Sequence, residues 1–127
     1  MSDAPKHHID VNTETQFIPD QSAPDEDRYV FAYTITITNT GEVAAKLLTR
    51  RWLITDSNGK IQEVRGDGVV GEQPYLRPGE AFQYTSGSML ETPVGTMEGS
   101  YQMLGDDGIS FDATIPRFTL SMPRVLH

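Results

Sequence analysis

The chain has 127 residues, no cysteine, 18 acidic against 10 basic side chains and a net charge of −8. That length makes one domain, able to bury a core without staples. The missing thiols exclude disulfides, thiolate metal sites and a cysteine nucleophile. No apolar run approaches the ~20 residues of a membrane helix, and no positive-then-apolar leader pattern opens the chain. The expectation is a soluble cytoplasmic protein without membrane insertion. The acidic balance also argues against nucleic acid, which needs clustered Lys and Arg.

Taken in order, residues 1–6 read as a flexible tip. His7 to Thr15 places Ile9, Val11 and Thr13 at period two, an edge strand on which the adjacent His7 and His8 point to opposite faces and share no metal. Pro19 to Asp27 is an acidic loop. Its run Asp25-Glu26-Asp27 lacks the alternate spacing and central glycine of a calcium loop. Tyr29 to Thr40 is the clearest strand, with Tyr29, Phe31, Tyr33, Ile35 and Ile37 on one face and Thr34, Thr36 and Thr38 on the other. Asn39-Thr40-Gly41-Glu42 turns the chain into a second strand, on which Trp52 and Ile54 face the core. Asp56-Ser57-Asn58-Gly59 is a turn, since Asn-Gly tolerates positive φ. Lys60 to Arg65 pairs back on the Trp52 strand, and Gly66-Asp67-Gly68-Val69-Val70-Gly71 hangs off the end of this hairpin.

Arg77-Pro78-Gly79-Glu80 suits a type II turn. Ala81 to Ser86 is a strand with Phe82 and Tyr84 on one face, and Gly87 to Gly95 is loop-like. Met97 to Leu104 is a strand, and Gly105-Asp106-Asp107-Gly108 a hairpin turn. Ile109, Phe111, Ala113 and Ile115 then alternate with polar residues until Pro116, which bends that strand or places it on an edge. Phe118 and Leu120 resume the pattern, and Pro123 to His127 is a tail. Seven to eight short strands with turn signals every 8–12 residues predict an all-β antiparallel sandwich closed over Trp52. A closed barrel is the alternative.

The Gly-x-Gly-x-x-Gly loop would suit a dinucleotide only if a helix followed it. Pro74, Pro78 and Gly79 come instead. It reads as a tight loop or as an anion-binding nest. In the nest the amides of Gly66, Gly68 and Gly71 are donors, Arg65 is the counter-charge, and Arg50 and Arg51 lie one strand away. The charge is uneven in a way that favours this region: residues 1–27 hold seven acids and one Lys, whereas residues 43–65 hold five basic side chains and two acids. Thr85-Ser86-Gly87-Ser88 is not a nucleophile elbow. The possible carboxylate pairs, Glu63 with Glu72 and Asp106 with Asp107, fall on exposed turns. No catalytic residue, cofactor or metal ligand is assigned, and a non-enzymatic binding module is the expectation.

Several long motifs carry a family resemblance. They are Arg51-Trp52-Leu53-Ile54-Thr55-Asp56, Glu63-Val64-Arg65-Gly66-Asp67-Gly68-Val69-Val70-Gly71-Glu72-Gln73-Pro74, Pro78-Gly79-Glu80, Tyr84-Thr85-Ser86-Gly87 and Gly99-Ser100-Tyr101-Gln102-Met103. Together, from about Ile9 to Leu120, the chain resembles the ApaG family. Many members carry a His or Tyr ring where this chain has Arg51, and Asp67 lies at a variable position. The resemblance implies a single domain over 1–127 with an immunoglobulin-like, fibronectin type III-like sandwich. It implies a protein-binding role, in a family associated in bacteria with cobalt and magnesium resistance or efflux and with a neighbouring diadenosine-polyphosphate hydrolase. Similar domains occur fused to an F-box protein and to a partner of DNA polymerase delta. The expected contact surface is the loop Arg65, Gly66, Gly68, Gly71, Glu72 and Gln73, with Arg50 and Arg51 beside it. Its ligand is a protein partner or, alternatively, a phosphate-containing anion such as pyrophosphate or a nucleotide phosphate.

Overall fold

The alternation of aromatic and β-branched residues with threonines decides the architecture, because such segments bury one face only when two sheets close on each other. The computed structural model describes residues 5–123. Among them eight strands are formed: β1 (Ile9–Phe17), β2 (Tyr29–Asn39), β3 (Ala45–Asp56), β4 (Ile61–Asp67), β5 (Tyr75–Leu76), β6 (Ala81–Leu90), β7 (Val94–Gly105) and β8 (Ser110–Ser121). One sheet runs β1-β2-β6. The other runs β4-β3-β7-β8, with β5 added on β3. All pairings are antiparallel. The two sheets stay separate, so the fold is the expected sandwich and not a closed barrel.

The inward faces meet as the alternation predicts. Phe31, Tyr33, Ile35 and Ile37 of β2 are buried against Leu47 and Trp52 of β3, Met97, Tyr101 and Met103 of β7, and Ala113, Ile115 and Leu120 of β8. The Trp52 ring, 3% exposed, meets Tyr33 at 5.5 Å and Phe118 at 5.9 Å, both edge-on. Among the described residues Asn39 is the one buried side-chain amide. Its Nδ2 donates to the carbonyls of Val43 and Leu76, and its Oδ1 accepts from the Gly41 amide. It therefore pins the end of β2 to the next loop and to β5, a fully satisfied role that a reading as a turn residue does not convey.

Four features differ from the sequence reading. β6 does not stop at Ser86 but continues through Gly87 to Leu90, because Gly87 and Ser88 hold their places in the ladder against Ala32 and Phe31. β7 already begins at Val94, so the expected loop shrinks to Glu91-Thr92-Pro93. The acidic segment folds into two short 3-10 turns, Pro19–Gln21 and Pro24–Glu26. Finally, Lys6 is no free tip: its carbonyl accepts from the Glu42 and Val43 amides. The remainder of the expected tails, at 1–4 and 124–127, lies outside the described residues. Pro116 behaves as expected. β8 is an edge strand, and Pro116 and Arg117 together oppose the single residue Glu98 in a bulge.

A pair of phenols lies in the core. The Tyr84 and Tyr101 hydroxyls are 2.5 Å apart and buried. Burial pushes Tyr84 up to about 12, partly offset by the hydrogen bond from Tyr101, and burial pushes Tyr101 up as well. A phenol whose folded value is raised stabilises the fold fully below its unfolded value, ~10. The unfolded chain releases its protons first, so this stability is lost as pH rises from ~10 towards and beyond 12. We expect the urea midpoint to fall steeply over that range. In the Tyr84→Phe/Tyr101→Phe double variant the fall should be shallower. Equal slopes in the two proteins would contradict the assignment.

Candidate functional site

Ladder pairing fixes which side chains share a face. On the outer face of the larger sheet, one row runs Asp67, Thr49, Gln102, Asp112 and the next runs Arg65, Arg51, Ser100, Thr114. A third row begins Glu63, Leu53, Glu98. The first two rows border an open concavity of about 560 Å³, lined by Thr49, Arg50, Arg51, Arg65, Gly66, Asp67, Ser100, Gln102 and Asp112. Glu63 bridges the arginines: its carboxylate accepts from Arg65 Nε and lies 3.4 Å from Arg51 Nη2. The hydrogen bonds from Arg65 and then Arg51 hold the Glu63 carboxyl below its usual value. Arg117 Nε lies 2.6 Å from Glu98 at the far side of the same face, and that contact raises the guanidinium. Thr49 donates to Gln102 Oε1, and Gln102 Nε2 donates to Ser100. The surface thus offers guanidinium donors, an amide, hydroxyls and carboxylates in one plane, open to solvent.

The glycine loop closes one end of this concavity, and its hydrogen bonds point inward. The Gly68 amide donates to the Leu48 carbonyl, which also accepts from Gln73 Nε2. Val69 and Glu72 exchange both backbone bonds around Val70 (φ 43°) and Gly71 (φ 81°), a two-residue hairpin of the primed type. Gly68 is required for close approach: a Cβ there would lie 2.2 Å from the Glu72 carbonyl oxygen. The chain then enters β5 and not a helix. One expectation is corrected by this geometry. The Gly68 amide is not offered to an anion, because Leu48 occupies it. Arg50 borders the concavity as well, but its guanidinium is committed to the loop. It shares the inward side with its partner Tyr101, lies across Gly66, and uses Nη1 on the carbonyls of Asp67 and Gly68. Its role is to hold the loop on the sheet.

Of the predicted site residues, Arg50, Arg51, Arg65 and Gly66 therefore come together at the concavity. Gly68, Gly71 and Gln73 build the loop, Glu72 lies exposed at its hairpin, and Arg50 anchors it from inside. Thr49, Ser100, Gln102 and Asp112 were missed. Their outward parity is readable, but that β7 and β8 lie beside β3 is not. The suspected carboxylate pairs do not form. Glu63 is taken by arginines, Asp106 accepts from the Tyr75 hydroxyl at 2.5 Å, and Asp107 lies 2.8 Å from His7 Nε2. Among the described residues no group of three His, Asp or Glu side chains is placed to hold a metal ion. No helix among them is long and apolar enough to cross a membrane.

A two-sheet antiparallel sandwich with a mixed-charge outer face and a tightly tied glycine loop defines the class: an immunoglobulin-like β-domain carrying its distinctive groups on one sheet. The model of the ApaG domain matches residues 19–105. The protein called ApaG from Aromatoleum aromaticum is 65% identical over 127 residues, and that from Thiobacillus denitrificans 61%, each covering all of both chains. The chain belongs to the ApaG family. A crystal structure from Bordetella pertussis, labelled ApaA, superposes with a TM-score of 0.92 at 49% identity, covering 96% of this chain and 99% of that one. The C-terminal domain of wzt shares the fold alone, with a TM-score of 0.52 at 9% identity and 96% and 83% coverage.

Proposed function

We propose that this chain is a non-enzymatic recognition module that binds a protein partner through the outer face of β4-β3-β7-β8 and the adjoining glycine loop. The observation that carries this reading is the open, polar concavity lined by Arg51 and Arg65, both held by Glu63 beside it. Such a surface of fixed donors and acceptors on a rigid sheet suits contact with a folded or peptide surface of mixed charge. The family's association with cobalt and magnesium resistance would act through that partner, not through an ion held here.

The test is affinity capture from native lysate with the wild-type chain and with Arg51→Glu/Arg65→Glu. A partner retained by the first and lost by the second, with equal thermal unfolding of both baits, is the expected result. Identical captured sets would overturn the reading. Gly68→Asp is a poor probe, since its Cβ would strike the Glu72 carbonyl and deform the loop. The small-anion alternative keeps Arg65 and Arg51 as donors but loses the Gly68 amide. On that alternative, pyrophosphate would produce saturating amide shifts at Gly66 and Ser100 that vanish in Arg65→Ala. We expect no such saturation at millimolar pyrophosphate.

A further inference from the structure

The two-layer packing leaves one strand position unfilled. β6 lies over β7 and β3: the Tyr84 hydroxyl meets that of Tyr101, and a Cβ on Gly95 would strike Leu90. β4 lies one strand further out. Its start is met by the end of β6, where Met89, Leu90 and Glu91 share a small pocket with Lys60 and Gln62 and the Lys60 ammonium lies 3.9 Å from Glu91, but further along the inward side opens to solvent. Ile61 to Arg65 are all exposed, and Val64 is 40% exposed although it shares the inward side with its ladder partner Trp52. The space facing β4 is the space beside β6.

From Tyr84 to Ser88, short of the Lys60–Glu91 pair, the edge of β6 that borders this space is unguarded. The strand is ten residues long with no charged residue and no proline. The other edges carry the usual protection: β1 and β8 pack on each other, β8 has Pro116 and its bulge, and β4 bears Glu63, Arg65 and Asp67. The middle of β6 is Ser86-Gly87-Ser88. Gly87 has no positive φ, and a Cβ there would meet only the Phe31 carbonyl at 3.5 Å. The fold itself does not demand this glycine, and a glycine inside a strand often marks close approach by another backbone. At the Tyr84 end of the space lies the Arg50 guanidinium, which makes no ion pair among the described residues.

We infer that this shelf takes an extended segment of another protein as an added strand antiparallel to β6, with a carboxylate of that segment on Arg50. A second copy of this chain does not fit, because pairing β6 with its counterpart would drive the counterpart's β3 into the space of β4. A lone strand brings no second layer. Main-chain hydrogen bonds to β6 supply affinity. An apolar side chain over Val64 and the carboxylate at Arg50 supply selection. Since β6 runs from Tyr84 towards Leu90, the carboxylate belongs at the C-terminal end of the segment.

The test titrates the isotope-labelled full chain with a blocked heptapeptide of alternating valine and threonine ending in glutamate. Expected are saturating amide shifts along β6 and at Val64, and peptide-to-β6 backbone NOEs. The same peptide ending in lysine should bind about tenfold more weakly, the size of one charge-assisted hydrogen bond. Ser86→Lys, which puts an inward charge at the edge, should abolish the shifts. Arg65→Glu, on the outer face, should leave them unchanged, so this proposal and the outer-face reading fail separately. No shifts at millimolar peptide, shifts confined to the outer face, equal binding of the lysine peptide, or a β6-mediated dimer in sedimentation would each overturn it.

Discussion

Trp52→Ala should lower the unfolding free energy by about 3–5 kcal/mol, the usual cost of emptying a large aromatic site in a packed core. The indole touches both sheets: Tyr33 belongs to β2, Phe118 to β8, and Trp52 itself to β3. Its removal therefore opens a void between layers that neither sheet can close alone. A domain of this size has only about 5–15 kcal/mol in total, so the variant should unfold at a much lower urea midpoint. The loss must be followed by circular dichroism, because the substitution removes the only tryptophan. A change below about 1 kcal/mol would mean that the two sheets do not meet at this ring.

Gly99→Val should be comparably damaging, for a different reason. A Cβ at Gly99 would lie 2.0 Å from the Arg51 carbonyl oxygen and 3.2 Å from the Trp52 Cα. The obstacle is the backbone of the paired strand, which cannot rotate away as a side chain would. Overpacking costs about 1–3 kcal/mol where side chains can adjust; here we expect about 3 kcal/mol or more, with the ladder between β3 and β7 displaced. Gly87→Ala is the matched comparison. It meets nothing closer than 3.5 Å and should stay within about 0.5 kcal/mol of the wild type. Equal effects at the two glycines, read from urea midpoints, would show that β3 and β7 do not approach as described.

The core was legible where period two was strong. The β2 run from Phe31 to Ile37 and the β8 run from Phe111 to Ile115 place their side chains as alternation says. The sequence reading failed where small residues blur that period, as at Gly87-Ser88, where ladder pairing with β2 overrides a weak local signal. Half of the candidate surface was legible too. Arg51 and Arg65 could be placed on one hairpin because the Asn58-Gly59 turn sets its register. Ser100, Gln102 and Asp112 could not, since their nearness to Arg51 depends on which distant strands neighbour β3. The glycine loop misled in one respect. Three glycines look like free amides, but spacing cannot show that Leu48 already takes the Gly68 donor, or that Gly68 is needed to clear Glu72.

The most direct measurement is photo-crosslinking in cells from a benzophenone side chain placed at Ser100, the centre of the charged face, and separately at Thr36, which points outward from the opposite sheet. A discrete crosslinked species from Ser100 that is absent from Thr36, and that disappears when Arg51→Glu/Arg65→Glu is added, is the predicted result. The same species from both positions, or from Thr36 alone, would place the working surface on the wrong sheet and contradict the account.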